Sequence, residues 1–272
     1  MWALWRRQWT ICCDCRIIFV FLRPVKSGIN VSNLLIEIGN TALKAAFSDG
    51  MTLGKTFRYQ GEKVMDFIRT ILQKERPAVL VVASAYPISP VDEDFLRGEC
   101  QHLILLDASH KELLTARSLP PYLSYDRAAS ILAARYLFRG KGCTIVDFGT
   151  TLTIDHTDEA GMYRGGTISL GCRTRFKALN RYSKTLPLLD SPEMKGLSPL
   201  SLEGSMVSGV VSGMLFEIEG YTRLNPDNIV VFTGGDANFF AKRMKISIFV
   251  ICNLVLMGLA LIADDYVRKM DQ

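Results

Sequence analysis

The apolar positions of the chain fall into short runs that alternate between two periods. Residues 34–38 form an apolar run ending at Gly39 and Asn40, and 43–47 form a second run. Together they predict a hairpin about the glycine. Residues 64–74 carry apolar side chains at 64, 67, 68, 71 and 72, which is one face of a helix. Residues 78–83 are apolar without alternation, the mark of a parallel strand buried on both faces. A helix over 92–100 and a strand over 103–106 follow. The stretch 126–138, with Ala128, Ala129, Ile131, Leu132, Ala133, Ala134 and Leu137, predicts a strong helix that Gly140 stops. The pattern then restarts, with strands over 144–147 and 152–156 around a glycine turn and a buried strand over 228–232. This alternation predicts an α/β fold with a mostly parallel sheet.

Two apolar segments raise the question of a membrane. The first, 17–22, is too short to span a bilayer and lacks the cleavage site of a signal peptide. Residues 1–31 therefore read as an extension outside the core, dispensable or even translated from a misplaced start. The second, 246–263, is eighteen residues without a charge, long enough to span. Ser247, Asn253 and Gly258 interrupt it, and Asp264, Asp265, Arg268 and Lys269 close it. A buried strand over 246–251 followed by a helix over 254–268 fits better.

Composition narrows the class further. With 272 residues, 49% hydrophobic and 22% charged, the chain can bury one large core or two smaller ones. The net charge of +5 owes part of its excess to Arg6, Arg7, Arg16, Arg23 and Lys26 near the start. No basic stripe with interleaved aromatics follows, which argues against a nucleic-acid partner. Of the seven cysteines, Cys12, Cys13 and Cys15 cluster without a second pair to close a zinc site. Reduced thiols in a cytoplasmic protein are the simplest account.

The restart carries the chemistry. Leu35-Ile36-Glu37-Ile38-Gly39-Asn40-Thr41 is echoed 110 residues later by Ile145-Val146-Asp147-Phe148-Gly149-Thr150-Thr151. Each copy is a buried strand, a carboxylate, a glycine turn and a hydroxyl. The glycine lets backbone approach a phosphate, and turn amides and threonine hydroxyls donate to its oxygens. The carboxylate cannot favour phosphate directly, so it holds a cation or a water. Two copies half a chain apart predict a duplicated fold with two lobes, over 32–138 and 139–272, and ATP between them. Thr233-Gly234-Gly235-Asp236 after the last buried strand suits an adenosine-binding turn, with an ordinary tight turn the alternative.

These residues, taken in order from about Asn33 to Ile262, resemble the type III pantothenate kinases. Glu37 to Lys44 is similar to that family's Asp-Ile-Gly-Asn-Thr-x-x-Lys. Ser124-Tyr125-Asp126-Arg127 resembles Gly-x-Asp-Arg, and Asp147 to Thr153 resembles Asp-x-Gly-Thr-x-x-Thr. Tyr163 to Gly171 resembles the Gly-Gly-x-Ile-x-Pro-Gly element. The resemblance implies two duplicated RNase H-like lobes of the actin-like ATPase (ASKHA) superfamily, and a homodimer that transfers the γ-phosphate of ATP to pantothenate, with Mg²⁺ and a monovalent cation, K⁺ or NH₄⁺. It implies Asp126 as general base, or, read without the resemblance, as the cap of its helix. Ser124, Tyr125, Arg127 and Leu202 would join Asp126 in binding substrate. Glu37, Ile38, Gly39, Asn40, Thr41, Ala42, Leu43, Lys44 and Thr150 would bind ATP, and Asp147 the monovalent cation. Lys44 can equally be a solvent-facing strand residue.

The chain departs from the family pattern at five places. Glu37 replaces Asp, Ser124 replaces Gly, Leu170 replaces Pro, and Leu202 stands where a substrate-contacting Thr is usual. Arg117 stands near the place of a usual Tyr. These changes motivate a second reading, a nucleotide-binding pseudokinase. Another ASKHA sugar or acetate kinase is disfavoured by the small lobes and the place of the Asp-Arg pair.

Overall fold

A computed structural model describes residues 8–11, 17–21, 33–110, 112–193, 198 and 200–270. The Cys12, Cys13 and Cys15 cluster lies outside the described residues. In chain order the elements are β1 (Gln8–Ile11), β2 (Ile17–Phe21), β3 (Asn33–Ile38), β4 (Leu43–Asp49), β5 (Thr52–Tyr59), α1 (Val64–Leu72) and β6 (Val79–Ser84). Next come α2 (Pro90–Gly98), β7 (His102–Leu106), α3 (Glu112–Ala116), α4 (Tyr125–Leu137), β8 (Cys143–Phe148), β9 (Thr151–Thr157) and β10 (Tyr163–Leu170). The last are α5 (Cys172–Tyr182), α6 (Leu202–Leu224), β11 (Ile229–Gly234), α7 (Ala237–Ala241), β12 (Ile248–Val250) and α8 (Leu254–Met270).

Contacts divide the chain into two units. One takes Phe21–Leu137 and Asn253–Gln272, and the other takes Phe138–Cys252 with most of the two N-terminal strands. The first unit is built on a sheet of order β5-β4-β3-β6-β7. Its strand β3 runs antiparallel to β4 and parallel to β6, so hairpin and crossover meet on one strand. The second unit repeats the plan around β8, antiparallel to β9 and parallel to β11, in the order β12-β11-β8-β9-β10. The duplication expected from the two glycine turns is thus a duplication of topology, although each sheet is mixed rather than mostly parallel.

Two segments depart from the expected boundaries. Strand β2, expected outside the core, pairs in parallel with β12 and extends that sheet together with β1. Helix α8, expected in the second lobe, packs in the first unit against α4, β3 and β6. That packing explains its sequence. A helix that is apolar all round needs a partner on every side, and Leu254 through Ala260 are all buried here. The uncharged stretch 246–263 is therefore split between the short strand β12 and the helix α8. No described helix is long and apolar enough to cross a membrane. Gly258 makes the α4 contact possible, because a Cβ there would run into the carbonyl of Ala129.

Each unit has its own core. In the first, Leu34, Ile36 and Ile38 of β3 meet Leu80 and Val82 of β6 and Ile68 and Ile71 of α1. In the second, Phe148 is central, edge-on to Phe232 at 4.9 Å and stacked on Phe240 at 5.0 Å. Interdigitated aromatics of this kind hold the strand ends in one arrangement, and those ends carry the polar turns described next.

Candidate active site

In the first unit the sequence 37–44 folds as a tight connection between β3 and β4. The Gly39 amide donates to the Ala42 carbonyl at 3.0 Å, which closes the turn. The Ala85 amide donates to the Ile38 carbonyl at 2.9 Å and ties the turn to the end of β6. Asn40 and Thr41 are exposed at the tip, where turn amides can meet an anion. Register puts Glu37 directly opposite Lys44 on β4. The Lys44 ammonium lies 3.5 Å from Glu37 Oε2, so the pair is electrostatic and at the outer limit of hydrogen bonding. Oε2 is buried and lacks a hydrogen bond of good geometry. Burial raises the Glu37 pKa above 4.5, Lys44 opposes the shift, and the charge of Asp126 adds to it. Lys44 is thus not a solvent-facing residue but the partner of the turn's carboxylate.

Helix α4 brings the second element to the same rim. The Ser124 carbonyl accepts from the Ala128 amide at 3.0 Å and opens the helix. Asp126 lies within the first turn, not at the cap, and its Oδ1 accepts from the Arg127 amide at 2.8 Å. A carboxylate in that turn is favoured by the helix dipole, and Asp126 remains exposed. Tyr125 and Arg127, on either side of it, are buried. The Tyr125 hydroxyl is pushed up to about 12, by burial first and then by the charges of Glu112 and Asp107.

In the second unit three glycine positions converge on one turn. Register places Asp147 between Thr153 of β9 and Thr233 of β11. The Gly149 amide donates to the Thr151 carbonyl at 3.0 Å, the Gly171 amide to the Thr150 carbonyl at 3.0 Å, and the Gly235 amide to the Phe148 carbonyl at 2.9 Å. The Thr174 hydroxyl also donates to the Thr150 carbonyl, at 2.6 Å. Gly234 has φ +91, and a Cβ there would lie 2.5 Å from Asp147 Oδ1 and from the Phe148 carbonyl oxygen. Only glycine serves a position that combines left-handed backbone with so close an approach. The expected adenosine turn, Thr233 to Asp236, is therefore adjacent to the Gly149 turn. Burial raises the Asp236 pKa, and Arg173 opposes the shift.

Leu170 and Leu202 also lie in the second unit. Leu202 is exposed in the first turn of α6, whose cap is the Ser201 hydroxyl accepting from the Gly204 amide at 3.0 Å. Leu170 is exposed at the end of β10, and its carbonyl accepts from Arg175 Nε at 2.8 Å. Arg175 also pairs with Glu217 of α6, which in turn accepts from Ser169 at 2.6 Å. This network fixes the end of β10 where proline would do so in the family pattern. Sequence reading missed it because Glu217 is 42 and 48 residues from its partners Arg175 and Ser169. It also missed Asp107 and His110 at the end of β7, although an acid followed by Ser and His after an apolar strand is a turn signal.

The arrangement can hold phosphates at two glycine turns and can supply a carboxylate base beside one of them. The model of the type III pantothenate kinase family matches residues 33–224. The type III pantothenate kinases of Flavobacterium psychrophilum and Phocaeicola vulgatus are each 34% identical to the chain, over 231 and 239 residues. These matches cover 83% and 84% of the chain and 96% of each relative. Among solved structures, a conserved Baf family protein from Campylobacter jejuni superposes with a TM-score of 0.55 at 21% identity, covering 86% of this chain and 99% of that one. The activator of 2-hydroxyisocaproyl-CoA dehydratase from Clostridium difficile, solved with ADPNP, gives 0.53 at 14% identity, covering 88% and 97%. At such identities these likenesses speak to the fold alone, which is that of the actin-like ATPases. With the family model matching residues 33–224, more than half of the chain, and relatives covered almost end to end, the chain belongs to the type III pantothenate kinase family.

Proposed function

We propose that this chain phosphorylates pantothenate at its primary hydroxyl with ATP, giving 4′-phosphopantothenate, the first step of coenzyme A biosynthesis. The observation that carries the reading is the placing of Asp126 beside the Glu37 turn, near enough for its charge to raise the Glu37 pKa. A phosphoryl acceptor hydroxyl needs a base within hydrogen-bond reach and a charged turn to hold the phosphates. Asp126 is the exposed carboxylate suited to take the proton. Arg127, buried next to it, supplies fixed positive charge, and Ser124 and Tyr125 shape the substrate side of the helix start.

The residues fit cations held through water. Among the described residues no three His, Cys, Asp or Glu side chains gather as a metal cage. Mg²⁺, however, keeps several waters and is commonly held by one or two carboxylates plus phosphate oxygens. The buried Oε2 of Glu37 is an acceptor that a metal-bound water would satisfy. Mg²⁺ bound there would neutralise phosphate charge. Asp147, flanked by Thr153 and Thr233 and approached closely by Gly234, is the residue for a monovalent cation, K⁺ or NH₄⁺. In the first unit the turn at 37–44 suits phosphate oxygens through its amides and hydroxyls, and in the second the turn at Thr150 has the same chemistry. A homodimer and a cytoplasmic location complete the reading, the former supported by exposed Ile168, Leu170 and Phe216.

Asp126→Asn tests the site. The variant should lose roughly 10²–10⁴-fold in phosphopantothenate formation, the scale of a positioned general base, while ATP affinity stays within a few-fold. Retention of most of the activity would remove Asp126 from the role.

A further inference from the structure

Beyond the residues already placed, the first unit holds an aspartate–histidine pair at the end of β7. Asp107 is buried, and three donors converge on its carboxylate. The Ser109 amide reaches Oδ1 at 2.8 Å, His110 Nδ1 reaches the same oxygen at 2.9 Å, and the Ile88 amide reaches Oδ2 at 3.3 Å. One side chain thus joins the loop after β6 to the loop after β7. Burial alone would lift the Asp107 pKa, but these hydrogen bonds outweigh it and hold the group below its ordinary value. A charged Asp107 is acceptor-only, so in the neutral imidazole Nδ1 carries the proton and Nε2 presents a lone pair. The His110 side chain is 43% exposed, and among the described residues its Nε2 has no partner.

The place of the pair gives it a use. Strands β3, β6 and β7 are parallel neighbours, and the loops beyond their carboxyl ends form the rim where open α/β sheets bind ligands. Glu37 ends one of these strands and Asp107 follows another, two strand spacings apart, roughly 10 Å. Asp107 also lies close enough to Tyr125, the neighbour of Asp126 on α4, for its charge to raise the tyrosine pKa. Pantothenate carries a secondary hydroxyl and an amide N–H beyond the primary hydroxyl. A handful of bonds with a hydrogen bond at each end spans a distance of about that size. Asp107 beneath the imidazole adds negative charge there, which suits a neutral donor rather than an anion.

We propose that His110, oriented by Asp107, accepts a hydrogen bond from the secondary hydroxyl or the amide N–H of pantothenate and so sets specificity for the substrate's middle portion. The proposal rests on the kinase reading above. Asp107 is a positioning residue that fixes which imidazole nitrogen accepts.

The test compares pantothenate with two analogues, one lacking the secondary hydroxyl and one with an ester oxygen in place of the amide N–H. Both are assayed on the wild type and on His110→Phe, which keeps a ring but removes the acceptor. The variant should raise KM for pantothenate about ten-fold, the scale of one hydrogen bond, with kcat and KM for ATP nearly unchanged. One analogue, impaired with the wild type, should show no further impairment with the variant. Asp107→Asn should do the same, because an Asn amide can donate to Nδ1 and turn Nε2 into a donor. If that buried change prevents folding, His110→Phe at the surface still decides. Equal losses for both analogues in wild type and His110→Phe would overturn the proposal alone. A wild type that never phosphorylates pantothenate would overturn the kinase reading and the proposal with it.

Discussion

Glu37 sits in a strand whose other positions are buried, and burial works against the charged form of its carboxylate. Its pKa is above 4.5, chiefly through burial, with Lys44 opposing and Asp126 reinforcing. The native state therefore keeps this proton to higher pH than the unfolded chain does. It follows that the contribution of Glu37 to stability falls as pH rises from 4.5 through the folded value. Glu37→Gln removes that penalty. The variant should melt at a higher temperature than the wild type at pH 7, and the difference should vanish in acid, as followed by circular dichroism. Its activity should move the other way, falling on the order of 10²-fold as metal and phosphate lose a fixed charge near the reacting groups. Glu37→Asp, which restores the family residue, should preserve or raise activity. A fully active Glu37→Gln would separate this turn from the metal.

At the scale of elements, the glycine turns and the strands leading to them were legible from sequence because each is local. A β-branched or apolar run followed by Gly-Asn or Gly-Thr has few alternatives. What lay hidden depends on residues far apart in the chain. Strand β10 alternates between half-buried and exposed positions yet carries Gly165, Gly166 and exposed Ile168, so periodicity gave no strand signal. Helix α5 is mostly polar, and helix α6 contains six glycines and serines among its first twelve residues, which weakens any helical pattern. The Lys44–Glu37 pairing depended on strand register, which the hairpin implied but did not state. The placement of α8 was invisible because nothing in 254–270 distinguishes the core of one unit from that of the other. Gly258 offers a test of that placement. In an ordinary helix Gly→Ala would add about 1 kcal/mol of helix propensity. Here the new Cβ would strike the Ala129 backbone, and overpacking costs about 1–3 kcal/mol. Gly258→Ala should therefore lower Tm by several degrees, and a raised Tm would show that α8 packs elsewhere.

For the molecule as a whole, two units of the same topology each present a glycine turn with a carboxylate beside it, and the second unit's sheet is extended by β1 and β2. A chain lacking residues 1–30 loses that extension but neither core cluster. It should remain folded and dissolve without detergent, and partition into membranes would contradict the placing of 246–263 in β12 and α8. The central claim, that this fold transfers phosphate from ATP to pantothenate, is tested most directly by ³¹P NMR of the purified full chain with ATP, Mg²⁺ and K⁺, with and without pantothenate. The account predicts a phosphomonoester signal of 4′-phosphopantothenate growing in step with ADP only when pantothenate is present. Nucleotide binding with no phosphomonoester under any of these conditions would contradict it and leave a nucleotide-binding protein without turnover.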